Sequence, residues 1–557
     1  MLLSGADILV KTLIEQGCDT VFGYPGGQIL NVYDSLYTHQ DHIRHILTAH
    51  EQGAAHAADG YARTTGRVGV VISTSGPGAT NLVTGIATAY LDSIPMVAIC
   101  GNVPTTQIGT DSFQELDITG VTLPITKHNY FVGSVEDLAD TIREAFTLAA
   151  SGRPGPVLID VPKDVQNAKC EYEPQAPAEK DEPHAAKDIR IEEAARLINA
   201  AQRPYIYFGG GVMAANAQEE LLALAEKIDA PIGCSLMGLS GIPTDHPRFL
   251  GMQGMHGHYA SSMSMHHADL IISLGVRFND RVTGNRSKFA ARAKIVHIDV
   301  DGSELCKTVT AACGLRGDVK RTLQKLLPLL VESKKPGWMA KVNEFRAEEN
   351  DYLDNRDGLT PRSVILTLNR HLGGNTAVAT DVGQHQMWSA QNLSFRTPRR
   401  FVSSGGLGTM GFGLGAAIGA AFGTKERSVL VTGDGSFGMC LNELATAVTY
   451  NVPVVILLMN NGVLGMVRQW QTLFFNKHYS NTVLNRQTDF PALAKAFGAD
   501  GETVTTVEEL DAALSKAFSH DGPYLIDCRI DKDEFVLPML PPGGSMDDII
   551  VKLEVEK

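Results

Sequence analysis

Ser428-Val-Leu-Val-Thr-Gly-Asp-Gly-Ser436 and, one helical pattern later, Val454-Val-Ile-Leu-Leu-Met-Asn-Asn-Gly462 each run an unbroken apolar stretch into glycine and an acid or amide. Short continuous apolar runs of this kind read as strands buried on both faces, the mark of parallel sheets covered by helices. The same alternation recurs outward along the chain, at Val68-Gly-Val-Val-Ile-Ser73, Met96-Val-Ala-Ile-Cys100, Pro156-Val-Leu-Ile-Asp160, Leu270-Ile-Ile-Ser-Leu274 and Ile295-Val-His-Ile-Asp299. The expected fold class is therefore α/β, with doubly wound parallel-sheet domains. A chain of 557 residues has room for about three of them.

Two stretches interrupt the alternation. Glu171 to Asp188 mixes Pro174, Pro177 and Pro183 with charges, and Ser333 to Thr360 is rich in Lys, Glu and Asp around Pro336 and Gly337. The first composition cannot build a core, and the second has some helical character but reads as a connector. The expected organisation is a first domain at 1–170, a linker at 171–189, a central domain at 190–335, a connector at 336–360 and a third domain at 361–557. No repeat of 20 to 50 residues is visible, and spacing leaves open whether the first and third domains share a topology.

Composition narrows the function classes. A formal charge of −14 lacks the basic footprint that nucleic acid or an anionic membrane requires, so neither is an expected partner. The eight cysteines form no C-x-x-C pair, which fits reduced thiols in a cytoplasmic protein rather than a zinc site or disulfide framework. The N-terminus turns polar too early for a signal peptide, no apolar run reaches about 18 residues, and the chain is expected to open directly on its first domain. With 55 glycines there is ample supply for tight strand-to-helix turns against a ligand.

Gly433, Asp434, Gly435 and Ser436 fall at the carboxyl end of one expected strand and Asn461 at the end of the next, where open α/β sheets bind ligands. Asp434 and Asn461 oxygens, a backbone carbonyl at Val463 and two phosphate oxygens would suit octahedral Mg²⁺. The glycines let backbone approach a diphosphate, and the helix after Ser436 adds its N-terminal dipole. Taken singly, each motif is also an ordinary polar turn; their pairing at adjacent strand ends favours the site. No G-x-x-x-x-G-K-[ST] occurs, which disfavours a P-loop ATPase.

Far upstream, His50-Glu51-Gln52-Gly53-Ala54-Ala55 opens an Ala-rich helix. Glu51 suits the helix dipole there, but a carboxylate in an apolar cradle can also share a proton with a nitrogen heterocycle. Glu51 together with Gly-Asp-Gly-Ser and Asn-Asn resembles the thiamine-diphosphate enzymes. Further motifs resemble the acetohydroxyacid synthase catalytic subunits over essentially the whole chain: Phe22-Gly-Tyr-Pro-Gly-Gly27, Thr74-Ser-Gly-Pro-Gly-Ala-Thr-Asn81, Gly109-Thr-Asp-Ser-Phe-Gln114, Thr126-Lys-His128, Ser151-Gly-Arg-Pro-Gly-Pro156, Arg277-Phe-Asn-Asp-Arg-Val-Thr-Gly284, Asp381-Val-Gly-Gln-His385, Gly406-Leu-Gly-Thr-Met-Gly411 and Gly465-Met-Val-Arg-Gln-Trp-Gln471.

That resemblance implies thiamine diphosphate (ThDP), Mg²⁺ and FAD as cofactors. It implies decarboxylation of pyruvate and joining of its two-carbon unit to a second pyruvate or to 2-ketobutyrate, the first common step of branched-chain amino-acid synthesis. It also implies a homodimer with shared active sites, extendable to a tetramer, and a small regulatory subunit. Glu51, Gln114, Lys127, Phe113 and Gly27 would carry catalysis. Pro77, Asn81, Gln384, His385, Gly408, Met410 and Met466 would join Glu51 and the Gly433–Ser436 and Asn461 groups around ThDP. Asp434, Asn461 and Val463 would hold the metal. FAD contacts would fall at Arg153, Gly210, Gly211, Met255, His256, Gly257, Gly275, Arg277, Asp299 and Asp318. Arg281 would grip the second acid's carboxylate with its guanidinium fork, beside Met466, Val467 and Trp470 in a pocket kept dry with Phe113. Core packing for Phe113, Met466 and Trp470 and an ion pair for Arg281 are the plainer alternatives.

Asn279 and Gln28 stand where the family usually has Asp and Ala, and Thr105 and Thr106 replace residues at the expected channel mouth. An FAD-dependent pyruvate oxidase, a flavin-free acetolactate synthase and a non-catalytic ThDP- or nucleotide-sensing protein are the rival readings. Trp470 in its Arg-Gln-Trp-Gln setting, the Arg277–Gly284 run, and intact Glu51, Asp434 and Asn461 count against the three in turn.

Overall fold

A computed structural model describes residues 1–177 and 183–552. Its described residues contain three six-stranded, all-parallel sheets. In the first, the spatial order is Arg44–Leu47, Thr20–Gly23, Gly69–Ser73, Met96–Asn102, Pro156–Pro162, His128–Phe131. In the third it is Phe401–Val402, Ala377–Thr380, Ser428–Gly433, Val454–Asn460, Tyr524–Arg529, Asp500–Val504. Counted along the chain, both orders are 2-1-3-4-6-5, so the topology left open by sequence spacing is shared. The central sheet differs. Its order, Phe249–Met252, Ile232–Cys234, Pro204–Phe208, Leu270–Leu274, Lys294–Asp299, Cys313–Arg316, counts as 3-2-1-4-5-6, the order of dinucleotide-binding sheets.

The strands are apolar on both faces because helices cover both; Met96–Asn102 and Val454–Asn460 are buried at every position. Pro336–Asn350, where the sequence shows some helical character within the expected connector, is a 15-residue helix. Trp338, Val342 and Phe345 fall on one helical face and pack into the central core, so burial of that stripe, hidden among charges, overrides the loop-like composition. The expected linker at 171–189 falls partly outside the described residues, at 178–182; beyond it a helix begins at Asp188.

First and third domains meet along a seam of two helices, Glu51–Thr65 and Gly413–Thr424. Small residues let the backbones touch: a methyl added at Gly60 would lie 2.1 Å from the Ala416 carbonyl oxygen, and one at Gly419 would lie 1.8 Å from that of Ala57. All eight cysteines are free. Among the described residues no helix is long and apolar enough to cross a membrane.

Candidate active site

In the third sheet the strand order reverses between Ala377–Thr380 and Ser428–Gly433, and the loops leaving those strands carry Asp381–His385 and Gly433–Ser436. Asp434 is buried, and burial pushes its carboxyl up to about 6 against hydrogen bonds from the backbone at 434, 435 and 462. A nearby cation would relieve that penalty. Asn461 Oδ1 accepts from the Val463 amide at 3.2 Å. Leu464 N and Leu484 N bond Thr482 and Gly462 carbonyls at 2.8 Å each, flanking Val463 and leaving its carbonyl outside that short ladder. One carboxylate after one strand meets, through the Gly462 amide, the neighbouring turn that carries one amide oxygen and one backbone carbonyl, a donor set that fits a hard divalent ion.

His385 is buried at the helix start Gln384–Asn392, its Nε2 without a partner and its ring held neutral with its pKa down to about 3 by burial. Methyls at Gly383 or Gly433 would strike this ring, so both glycines serve close packing around a ring nitrogen left without a partner. Gln384 uses its amide nitrogen on Gln469 at 3.0 Å and on the Glu534 carbonyl at 2.7 Å. Its oxygen faces Asn461 at 3.5 Å, so its side chain seats the Asn461 turn rather than offering hydrogens to a phosphate. Ser436 Oγ is likewise committed, to the Val382 carbonyl at 3.0 Å. Met410 reaches the Gly435 turn, its Cε 3.9 Å from a methyl built there. Gly408, with φ +68°, turns the loop before it.

A cleft of about 2850 Å³ opens beside this turn between the domains. Gly408, Met410, Met466, Val467, Trp470 and Arg281 line one part of it; the Arg281 guanidinium sits 6.0 Å from the Trp470 ring centroid, a cation over an aromatic face. Arg153, Gly210, Gly211, Met255, His256, Gly275, Arg277, Asp299 and Asp318 line the rest. The switch point of the central sheet feeds this part: a methyl at Gly211 would lie 2.6 Å from Gly275 Cα, so the ends of the two strands are in backbone contact. Burial holds the His256 ring neutral, its pKa down to about 4, and lifts the Asp299 carboxyl to about 6. Asp318 spends Oδ1 on the Arg321 amide as a helix cap. Gly257, expected against FAD, does not line the cleft; its Cβ position is filled by Met252 O and Gly254 N, so it serves the tight turn after Met255.

The first-domain residues gather elsewhere. Glu51 is buried at the start of its helix and accepts from Asn81 Nδ2 at 2.9 Å. Gly78, one residue beyond Pro77, leaves its Cβ position 3.1 Å from Glu51 Oε1, and Gln114, at φ +62°, packs against Gly76. Gly27 is exposed and its carbonyl accepts from Lys163 Nζ at 3.0 Å. These residues cluster at the carboxyl ends of the first sheet but form no wall of the cleft. Phe113, expected inside a dry pocket, is 83% exposed among the described residues. Lys127 is not brought to Glu51. It enters the edge strand at the opposite, amino end of the sheet, where its amine donates to the Leu148 and Ser151 carbonyls and burial with nearby Arg153 lowers it to about 8.

Three consecutive matches to thiamine pyrophosphate enzymes run along the chain: the N-terminal TPP binding domain at 3–121, the central domain at 191–326 and the C-terminal TPP binding domain at 381–528. It is 45% identical to acetolactate synthase isozyme 2 large subunit of Escherichia coli K12, covering 99% of this chain and 100% of that one. To the probable acetolactate synthase large subunit of Methanocaldococcus jannaschii it is 44% identical, over 100% and 96%. The chain belongs to the acetolactate synthase large-subunit family. The acetolactate synthase large subunit of Buchnera aphidicola subsp. Acyrthosiphon pisum is 44% identical over 98% of both. Within this family frame, several structural supports escape sequence reading. Asp381 gathers the Val382, Gly411 and Gly413 amides at 2.9, 2.8 and 3.4 Å, fixing the loop that carries Met410. Arg486 lies beside the Asp434 turn, and Gln469 joins Gln384 to the C-terminal arm at Val536. Only Asp381 had a local signal, as an acid ending an apolar strand; the others arrive from distant loops.

Proposed function

We propose that this chain is the catalytic subunit of an acetolactate synthase that condenses two 2-ketoacids with loss of CO₂. Pyruvate and pyruvate would give 2-acetolactate; pyruvate and 2-ketobutyrate would give 2-aceto-2-hydroxybutyrate, the entry to branched-chain amino acids. The observation that carries this reading is Arg281 over Trp470, with Met466 and Val467 on the same wall and Met410 beyond. A carboxylate grip adjoins an apolar face, and Met410 of the same cleft reaches the Asp434 turn. ThDP, when bound, supplies the nucleophilic carbon and the electron sink for carbon–carbon cleavage and formation.

The chain's residues fit the groups this requires. Asp434, Asn461 and the Val463 carbonyl would hold Mg²⁺, and the unpartnered His385 Nε2 would face the diphosphate. Met410 would support the cofactor rings from below, while Glu51 Oε would exchange a proton with the pyrimidine ring nitrogen. Arg281 would bind the second acid's carboxylate, with Trp470 bounding the space for its alkyl group. The central sheet's order, its glycine-flanked switch point, and Arg153 and Arg277 in the same cleft support FAD.

Two copies complete the site. Glu51 lies outside the cleft, and Tyr24, Leu47, Phe113, Leu123, Met439 and Val483 are exposed apolar residues for which a second copy is the natural cover. A homodimer, its tetramer, a small regulatory subunit and a cytoplasmic location complete the reading. Purified protein given pyruvate, Mg²⁺ and ThDP should form acetolactate; acetyl phosphate or hydrogen peroxide as product would replace this reading with an oxidase.

A further inference from the structure

Three consecutive residues at the end of the Val83–Asp92 helix touch three different things. The Leu91 carbonyl accepts from the Arg277 guanidinium. The Asp92 carboxylate takes the Gly405 amide at 3.0 Å, the Gly406 amide at 2.6 Å and Arg63 at 2.8 Å. Ser93 Oγ accepts from Arg153 Nε at 2.8 Å. One face of this corner is thus held by the two cleft arginines, and the other holds the loop that runs into Gly408 and Met410.

The grip is tight and buried. No part of the Asp92 side chain is exposed, and a methyl on Gly406 would lie 2.9 Å from both Asp92 Oδ1 and the Leu91 carbonyl oxygen. The same helix holds the loop a second time, through the Thr88 hydroxyl bonded to Thr409 at 2.8 Å. Arg63, which completes the Asp92 carboxylate, also donates to the Ser403 carbonyl at 2.9 Å. Any displacement of the 91–93 corner therefore shifts the segment whose Gly408 and Met410 line the cleft beside the Asp434 turn.

We propose that the Leu91–Asp92–Ser93 corner couples the two cofactor sites, with Asp92 as the positioning residue: a flavin that orders Arg153 and Arg277 fixes the corner, and the corner fixes the Gly405–Met410 loop for ThDP. This rests on the FAD and ThDP reading above. Linkage makes the coupling reciprocal, and ordering one site spares the other that cost.

The test uses the full-length protein stripped of both cofactors. ThDP with Mg²⁺ is titrated by calorimetry with and without saturating FAD, and FAD is titrated by flavin fluorescence with and without ThDP. In the wild type each cofactor should tighten the other by the same factor, about 5-fold or more. Asp92→Asn should bring that factor close to one while still binding each cofactor. Ser93→Ala, which loses only the Arg153 contact, should keep part of it. Should Asp92→Asn fail to fold, Thr88→Val carries the same test through the second grip and should lower the factor. Wild-type protein that binds both cofactors independently would overturn the proposal alone, as would an Asp92→Asn or Thr88→Val protein with undiminished coupling. Wild-type protein that binds no flavin would overturn the FAD reading as well.

Discussion

The first and third sheets have one strand order and two chemistries. Even a buried polar pair is repeated. Asn102, ending the fourth strand of the first sheet, donates to Asp160 on the sixth at 2.7 Å; Asn460, ending the fourth strand of the third sheet, donates to Asp527 on the sixth at 2.9 Å. What differs is the loops at the switch point. The first sheet presents Thr74–Pro77 and a carboxylate on the neighbouring helix, bonded to the Asn81 side-chain amide. The third presents Asp434 ringed by backbone and a neighbouring turn of oxygens. The framework sets where a ligand lies, and a few loop residues decide whether protons or phosphates are handled there.

Breaking each half should fail differently. Glu51→Gln leaves the first sheet and its Asn81 contact able to form, so ThDP and metal should still bind, while proton exchange at the thiazolium C2 should slow by about 10²–10⁴-fold. Unchanged exchange, followed by NMR in deuterated buffer, would remove Glu51 from that role. Asp434→Asn should do the reverse, weakening Mg²⁺-dependent ThDP binding by about 10–100-fold or more with the fold retained; equal affinity by calorimetry would place the metal elsewhere. Trp470→Leu keeps an apolar wall but removes the flat ring, so the ratio of 2-ketobutyrate to pyruvate use as second substrate should change by about 10-fold, read from product ratios in competition.

The repeated Asn–Asp pair gives the smallest test. Burial lifts the Asp160 carboxyl to about 7, and its Oδ1 has no partner, whereas Arg529 stands 2.8 Å from Asp527. A carboxyl raised in the fold favours the native state at low pH and loses that contribution as pH rises through its folded value. Asp160→Asn should therefore gain on wild type from pH 4 to pH 7, by about 1–3 kcal/mol at the top of that range. Asp527→Asn, which strips Arg529 of its partner, should gain less. Thermal unfolding across pH reads both, and equal gains would mean that Arg529 does nothing for Asp527.

Much of this was legible in the sequence because it is local. An apolar strand running into Gly-Asp-Gly-Ser or Asn-Asn-Gly specifies both the strand and the ligand end of the sheet, and Asp434 does lie beside the turn of Asn461 and Val463, within reach of the Gly462 amide. The glycines at 210, 211 and 275 likewise sit where strand ends meet. What was not legible depends on which end of a strand, or which distant loop, a residue occupies. Lys127 lies in a motif as distinctive as the rest but enters its strand at the far end of the sheet. Phe113 is apolar, and no periodicity says that its own chain leaves it uncovered. Asp92 and Gln469 act through partners more than 60 residues away, a pairing that one sequence does not encode locally. The Pro336–Asn350 helix hid its stripe of Trp338, Val342 and Phe345 among charges.

The seam between the Glu51 and Gly413 helices also bears on how this chain can vary over time. Where other interfaces absorb substitutions by repacking side chains, here Gly60 and Gly419 meet carbonyl oxygens with no side chain between to yield. Mutational drift is thus channelled away from the strut that fixes Glu51 relative to its own third domain and towards the loops around it. Cleft-lining side chains such as Trp470 can change while the spacing of the two half-sites stays fixed, so the cleft can be reshaped on this scaffold without its geometry being rebuilt.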